Sequence, residues 1–391
     1  VNSIKKTIYL DHAATTPIDP RVFEEMVPFL KEHFGNASSV HRLGRKARFA
    51  IEDARERMAA HFGVTPGELI FTSGGTESNN LALKGQRSPG KLVTSKAEHE
   101  AILKQTDAMQ RAGWVVELLS PQQGGVVTEE QVQDMLDDET RLVSLMHVNN
   151  ETGGVNPIEA VGNILEQNNV VFHCDAVQSI GFYDWQLEKF PIDIMTGSSH
   201  KIYGPKGVGF LYVKGGTDLN GLIEGGSQER KRRGGTENVA AIVGMAKAFD
   251  LAVAERSDRV AHITMLKQRL MEGVRSVFSE TAMVINSLVS PEVSAPHIVN
   301  IAFPPVDGEA MDGEMLILNF DMEGICVSSG SACTSGAIEP SHVLLAMGLD
   351  EMTASAAVRF SIGKDNTAEE IDYTIDRLKE IVIRMRGALH A

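Results

Sequence analysis

The sequence predicts an α/β protein, with a large doubly wound domain built on a mostly parallel sheet and a smaller α+β domain beside it. Three observations lead there. The 391 residues suit two domains, since one domain typically takes about 100–200 residues. Between residues 63 and 213, short apolar runs alternate with helical stretches. From Asn238 a long helical stretch follows, after which strands and helices resume in a different order. The large domain is read as 16–255, and the small one as 1–15 with 256–391.

Taken in order, Thr7–Leu10 is strand-like, and no apolar leader stands behind Lys5 and Lys6, so no secretory signal is expected. Asp19 followed by Pro20 starts a helix, because Asp accepts from free N–H groups and Pro suits the first helical position; this helix should reach about Phe34. A second helix, from Ser39 to Phe62, is amphipathic through Val40, Leu43, Ala47, Ala50, Ile51, Ala54 and Met58, and stops at Gly63. Strands are expected at 68–72, 91–94, 114–119, 142–148, 170–174, 193–196 and 207–213, most of them rich in Val, Ile, Leu or Phe. Runs of this kind with helical segments between many of them indicate strands buried on both faces. Residues 238–278 read as helical, followed by a strand at 298–303, a helix at 308–320, strands at 325–328 and 357–362, and a closing helix from Thr367.

Composition narrows the function. Apolar residues make up 42% and charged residues 23%, which excludes disordered, collagen-like and coiled-coil chains. No apolar run approaches the roughly 20 residues needed to cross a bilayer, so no membrane role is expected. A formal net charge of −15 opposes direct nucleic-acid binding, which depends on basic surface. The basic run Arg230 to Arg233 departs from this balance and reads equally as a solvated loop or as an anion- or partner-docking element. Three cysteines, Cys174, Cys326 and Cys333, with no CxxC pair, suit a reducing compartment, and the cytoplasm is the expected location.

Ligands in open α/β sheets bind at the carboxyl ends of the strands. Here those ends carry Ser73-Gly74-Gly75-Thr76-Glu77, then His99, then Asn149-Asn150, then Asp175 with Gln178, and finally Ser198-Ser199-His200-Lys201. A lone Gly-Gly-Thr is usually a turn and a lone histidine usually a cap. Five polar strand ends together ask for one ligand. No GxGxxG opens a helix after a strand, which disfavours a nicotinamide enzyme. No Walker A loop is present either. His173, Cys174 and Asp175 are neighbours on one strand and alternate in face, so they cannot share a metal ion, and no metal is expected. Pyridoxal 5′-phosphate (PLP) satisfies the list. It needs a lysine for its aldehyde, an acid for its ring nitrogen and donors for its phosphate; Lys201, Asp175 and the Gly75-Thr76 loop supply them.

The segments Leu10 to Pro17, Thr72 to Glu77, His147 to Glu151, Asp175 to Gln178, Ser198 to Lys201 and Ser328 to Ser335 together resemble the cysteine desulfurases of the NifS/IscS type, in order and spacing over nearly the whole chain. The resemblance implies a fold-type-I PLP-dependent transferase of the class V aminotransferase group. By it, Lys201 binds the cofactor and Asp175 pairs with the ring nitrogen. Gln178 meets the phenolic oxygen, and His99 stacks on the ring and moves protons. Gly75, Thr76, Ser198 and His200 hold the phosphate, joined by Thr236 from a second subunit of a homodimer. Asn150 and Arg359 hold the carboxylate of L-cysteine. Ser199 stands where the family usually has glycine, and Gly75 where alanine is common.

Cys333 lies among small polar residues, 328–336, with little to bury, which marks a surface loop and a reactive thiol. Its expected part is attack on the substrate sulfur, leaving alanine and an enzyme persulfide that passes to an acceptor such as an iron–sulfur scaffold or a tRNA-thiolation protein. Cys174 and Cys326 sit in strands and read as core thiols. A selenocysteine lyase or another class V aminotransferase remains the alternative within PLP chemistry, and a non-catalytic binding module the alternative outside it.

Overall fold

The computed structural model describes residues 7–330 and 339–388. Twelve strands, β1 to β12 in chain order, form three sheets among these residues. β1 (Ile8–Tyr9) pairs in parallel with β11 (Ile325–Cys326). Seven strands make the large sheet: β2 (Leu69–Thr72), β3 (Lys91–Ser95), β4 (Val115–Leu119), β5 (Thr140–Met146), β6 (Val171–Asp175), β7 (Ile194–Ser198) and β8 (Gly209–Val213), in the order β2-β8-β7-β6-β5-β3-β4. The third sheet runs β12 (Ala357–Ser361), β10 (Ile298–Ala302) and β9 (Val284–Ile285), all antiparallel.

Strands β4, β3, β5, β6 and β7 are parallel, whereas β8 runs antiparallel to both β7 and β2. The exception has a local cause. After β7 the chain makes only a single helical turn, Ser199–Lys201, before β8, too little for the crossover that a parallel neighbour requires. It therefore doubles back over the carboxyl end of the sheet, carrying Lys201 with it.

Alternation of side chains divides the sheet into two buried faces. Phe71, Val93, Val143, Phe172 and Phe210 pack with the helices Arg42–Phe62 and Val239–Ala254. Ile70, Leu92, Leu142, Ile194 and Leu211 pack on the opposite side with Leu81 and Ile102. A separate core gathers Leu266, Leu270, Val299, Ile301, Phe320, Phe360, Ile375 and Leu378, together with Ile8 of β1 and Leu10 just after it.

Most expected elements are present with shifted ends. Asp19 caps Pro20–Lys31 by accepting from Arg21 N at 3.0 Å, and this helix stops short of Phe34. The second helix begins at Arg42, capped by His41, and ends at Gly63 in the left-handed region, φ +69°. The long helical stretch is two helices, Val239–Ala254 and Arg256–Val277, broken at Glu255. The helix expected at 308–320 is Gly313–Met322, starting where Asp312 accepts from Met315 N. β9 is a strand the sequence reading lacks.

Candidate active site

The carboxyl ends of the sheet strands enclose a cavity of about 310 Å³, lined by Gly75, Thr76, His99, Asn150, Asp175, Gln178, Ser198, His200 and Lys201. A second cavity, about 620 Å³, opens beside it and shares His99, Asn150, Gln178 and Lys201 as walls. Arg359 lines the second cavity, as do Ser328, Gly330 and Glu339.

Lys201 reaches back to the Leu10–Pro17 segment, its Nζ donating to Ala13 O at 2.5 Å and Ala14 O at 2.8 Å. Although part of the side chain meets open cavity, the amine is desolvated. That loss of water, with Arg359 nearby, pushes its pKa down to about 7. Thr16 ties the same segment to the Lys201 turn, its Oγ1 donating to His200 O and accepting from Tyr203 N.

Asp175 ends β6. Its Oδ2 accepts from Asn79 Nδ2 at 2.6 Å and its Oδ1 from Val177 N at 3.0 Å, so the carboxylate is held in one orientation. His99 caps the helix Glu100–Arg111, its Nδ1 accepting from Ala101 N at 3.0 Å; the neutral ring therefore carries its proton on Nε2. Although its side chain is exposed to the cavity, the enclosing protein desolvates the charged form and lowers its pKa, with Asp175 partly opposing. His200, its Nδ1 3.2 Å from Thr15 Oγ1, is pushed down to about 4 by burial and by Lys201 and Lys206. Gln178 donates from Nε2 to Ala13 O at 2.9 Å, and its Oε1 lies 3.4 Å from His297 Nε2.

The helix Gly75–Lys84 starts at Gly74, φ +150°, with no side-chain cap on its first N–H groups. Such free donors, beside Thr76, Ser198 and His200, suit a phosphate. Asn150 keeps a buried Oδ1 without a partner among the described residues, while its main-chain oxygen accepts from Arg359 at 2.8 Å. The other Arg359 nitrogen donates to Asp11 Oδ1 at 2.9 Å. An amine, an oriented carboxylate, an imidazole and an uncapped helix start in one cavity fit the aldehyde, ring nitrogen, ring face and phosphate of PLP.

Thr236 is exposed and lines neither cavity. Cys333 lies outside the described residues. Cys174 is buried in β6, where burial raises its thiol pKa well above the usual range, and Cys326 is half-buried in β11. His173 is not free for a metal, since its nitrogens meet Ser144 Oγ at 2.9 Å and Thr196 Oγ1 at 3.0 Å. Ser199 is buried with its hydroxyl unpartnered among the described residues; it fits because Gly204 lacks a Cβ, which would fall 2.0 Å from Ser199 Oγ.

The basic run is less available than its charge suggests. Arg233 pairs with Glu77 at 2.9 Å, on the first turn of Gly75–Lys84. The neighbouring Glu229 is buried in a bidentate pair with Arg55, both contacts 2.8 Å. Arg230 and Lys231 remain exposed.

Sequence reasoning misses Asn79, Glu98, Glu151 and Asp11. Glu98 is fully enclosed, accepting from Met146 N at 2.7 Å, and burial raises its pKa well above the usual carboxyl range. Glu151, also raised by burial, accepts from Ser341 Oγ at 2.5 Å. Asn79 lies four residues after Gly75 on one helix, so a signal did exist: both belong to the same helical face.

The aminotransferase class-V family model matches residues 8–374. A cysteine desulfurase IscS of Dictyoglomus turgidum is 42% identical over 98% of this chain and 96% of its own. One from Anaeromyxobacter dehalogenans is 44% identical over 98% and 94%. A solved NifS-like protein superposes with a TM-score of 0.88 at 37% identity, covering 97% of this chain and all of its own.

Proposed function

The chain belongs to the class-V aminotransferase family and is a PLP-dependent cysteine desulfurase, and from that premise we propose that Lys201 holds the cofactor while Cys333 takes the sulfur of L-cysteine. One observation carries the reading: the desolvated Lys201 amine shares a cavity with the oriented Asp175 carboxylate, His99 and an uncapped helix start.

Gly75, Thr76, Ser198 and His200 hold the phosphate, and Asp175 keeps the ring nitrogen protonated with Asn79 fixing its angle. Gln178 faces the phenolic oxygen and His99 the ring. Once bound, the cofactor supplies a sink for the electron pair freed at the substrate α-carbon. Nζ of Lys201 takes the α-proton. Asn150 and Arg359 grip the substrate carboxylate, with the guanidinium preset by Asn150 O and Asp11.

Gly330 and Glu339, which flank the Cys333 segment, both line the second cavity. The Cys333 thiolate attacks the substrate sulfur. The S–S bond forms as the Cβ–S bond breaks, the bonding pair stays with Cβ and takes up a proton there, alanine departs, and the persulfide passes to an acceptor of the iron–sulfur scaffold or tRNA-thiolation kind.

Thr236, exposed and outside this chain's own cavity, is assigned to the phosphate site of a second copy. Support for a homodimer comes from the exposed Phe23, Leu30 and Phe49 on the first two helices and Phe34 and Val40 in the connection between them, an apolar surface that a second copy would cover. The two-domain division at 16–255 against 1–15 and 256–391 is supported by the cores, as Ala252 packs in the first and Ile8 and Ile263 in the second. No described helix is long and apolar enough to span a membrane, and the three cysteines without a CxxC pair favour the cytoplasm.

Mass spectrometry after incubation with L-cysteine tests the assignment. One added sulfur on Cys333, formed together with alanine, is expected. Alanine at full rate with no sulfur on Cys333 would sink it.

A further inference from the structure

A third cavity, about 230 Å³, opens between the helix Arg256–Val277 and the segment 289–296, and shares no lining residue with the two active-site cavities. Its walls include Phe182, Met271, Val289 and Pro296. Among them stands Lys267, only 5% exposed. Its Nζ donates to Ser294 Oγ at 2.7 Å and Ala295 O at 2.6 Å. An ammonium has three donors, and the third meets no acceptor among the described residues. No described carboxylate pairs with it either. Burial, with no opposing acid, pushes this amine down to about 8. Arg275 adds a second positive charge at the rim, next to the exposed Glu272.

A buried cation without a counter-charge is costly and is tolerated where something supplies that charge. The walls call for hydrocarbon and the amine calls for an anion. The volume is below the roughly 300–1,000 Å³ of drug-sized pockets, so the occupant is small. We propose that this cavity binds a small monocarboxylate with an apolar body, its carboxylate on Lys267 Nζ and its hydrocarbon against Phe182 and Met271.

The site is linked to the active centre through two side chains. Phe182 stacks on His297 with ring centroids 4.0 Å apart, and His297 Nε2 lies 3.4 Å from Gln178 Oε1. An occupant therefore sits two side chains from the cofactor cavity.

Calorimetric titration of the holoenzyme with 4-methylpentanoate and with its neutral amide tests the proposal. The acid should bind at least tenfold more tightly than the amide. Lys267→Met should weaken acid binding at least tenfold, and Arg359→Ala should leave it unchanged. Equal binding of acid and amide would overturn the proposal, and so would loss of binding in Arg359→Ala, which would put the carboxylate in the active site. Should Lys267→Met fail to fold, Val289→Trp, at the exposed rim, blocks the cavity instead. Undiminished acid binding by that variant would be equally fatal.

Discussion

The proposed role of Lys201 rests on the desolvation of its amine. A lysine amine with an ordinary pKa of 10.5 is almost wholly protonated at neutral pH, but at about 7 a large neutral fraction exists. The neutral amine is the form that attacks an aldehyde. Apoprotein should therefore capture PLP faster as pH rises through 7, levelling off above about pH 8; stopped-flow absorbance between about pH 6 and 9 would check this, and a flat profile would contradict it. The sign for stability follows from the same shift. Because the unfolded chain holds this proton more tightly, the Lys201 contribution to the stability of the cofactor-free fold rises as pH climbs from about 7 toward 10.5. Asp175 depends on a neighbour in another way. Replacing Asn79 by leucine removes one of its two described donors, a charge-assisted bond worth about 1.5–3 kcal/mol. Turnover should fall about 10- to 100-fold while bound PLP, read by absorbance, is largely retained. Lys201, Asp175 and His99 are legible in the sequence because each follows an apolar run that reads as a strand. Glu98 and Glu151 are not, since a polar residue on a loop carries no mark of its burial, and Asn79 is marked only by its four-residue spacing from Gly75. Arg359 is brought from β12 by long-range packing that no local pattern encodes, and only the family resemblance points to it.

Among the elements, the strand-to-helix turn at Gly74–Gly75 is tightly packed against the Asp175 side of the cavity. A Cβ on Gly75 would fall 2.9 Å from Val177 Cγ2, and Val177 follows Asp175 by two residues in the same cavity wall. Gly75→Ala should push the phosphate cradle away from Asp175. Overpacking of this kind costs about 1–3 kcal/mol, so PLP should dissociate roughly 5- to 100-fold more readily. Adding Val177→Ala should recover most of that loss, because it removes the methyl that collides. A single Gly75→Ala variant binding PLP as well as the parent would show that the two residues are not coupled. Elements are better legible than their ends. Most strands of the large sheet are buried on both faces and so appear as largely apolar runs, the edge strand β4 excepted, while caps move the helix starts from Ser39 to Arg42 and from Gly308 to Gly313. β9 has only two residues, too few for any periodicity, and the reversed β8 depends on the short return that carries Lys201.

On the scale of the whole molecule, the cavity proposed for the cofactor and the second cavity draw on different parts of the chain. The first is walled by the strand ends of the large sheet; the second adds Ser328, Gly330, Glu339 and Arg359 from beyond the second core's β10 and β11. The Leu10–Pro17 segment joins them, giving its carbonyls to Lys201 and Gln178 and Asp11 to Arg359. Holding the cofactor and receiving the sulfur should therefore be separable by mutation. Cys333→Ser leaves Lys201, Asp175 and the phosphate cradle in place, so the protein should keep its bound PLP, and L-cysteine should still change its visible spectrum. Alanine and protein persulfide should both vanish, because a serine hydroxyl cannot accept sulfur to make a persulfide. Cys174→Ser and Cys326→Ser should retain most turnover, since neither thiol lines a cavity. The Cys174 variant should nevertheless lose about 1–3 kcal/mol of stability in denaturant titration, as a hydroxyl then sits in the core beneath β6. Loss of colour in Cys333→Ser would mean that its segment helps to hold the cofactor and that the two tasks are not separate. Full alanine production by the same variant would leave the thiol with no part in the reaction.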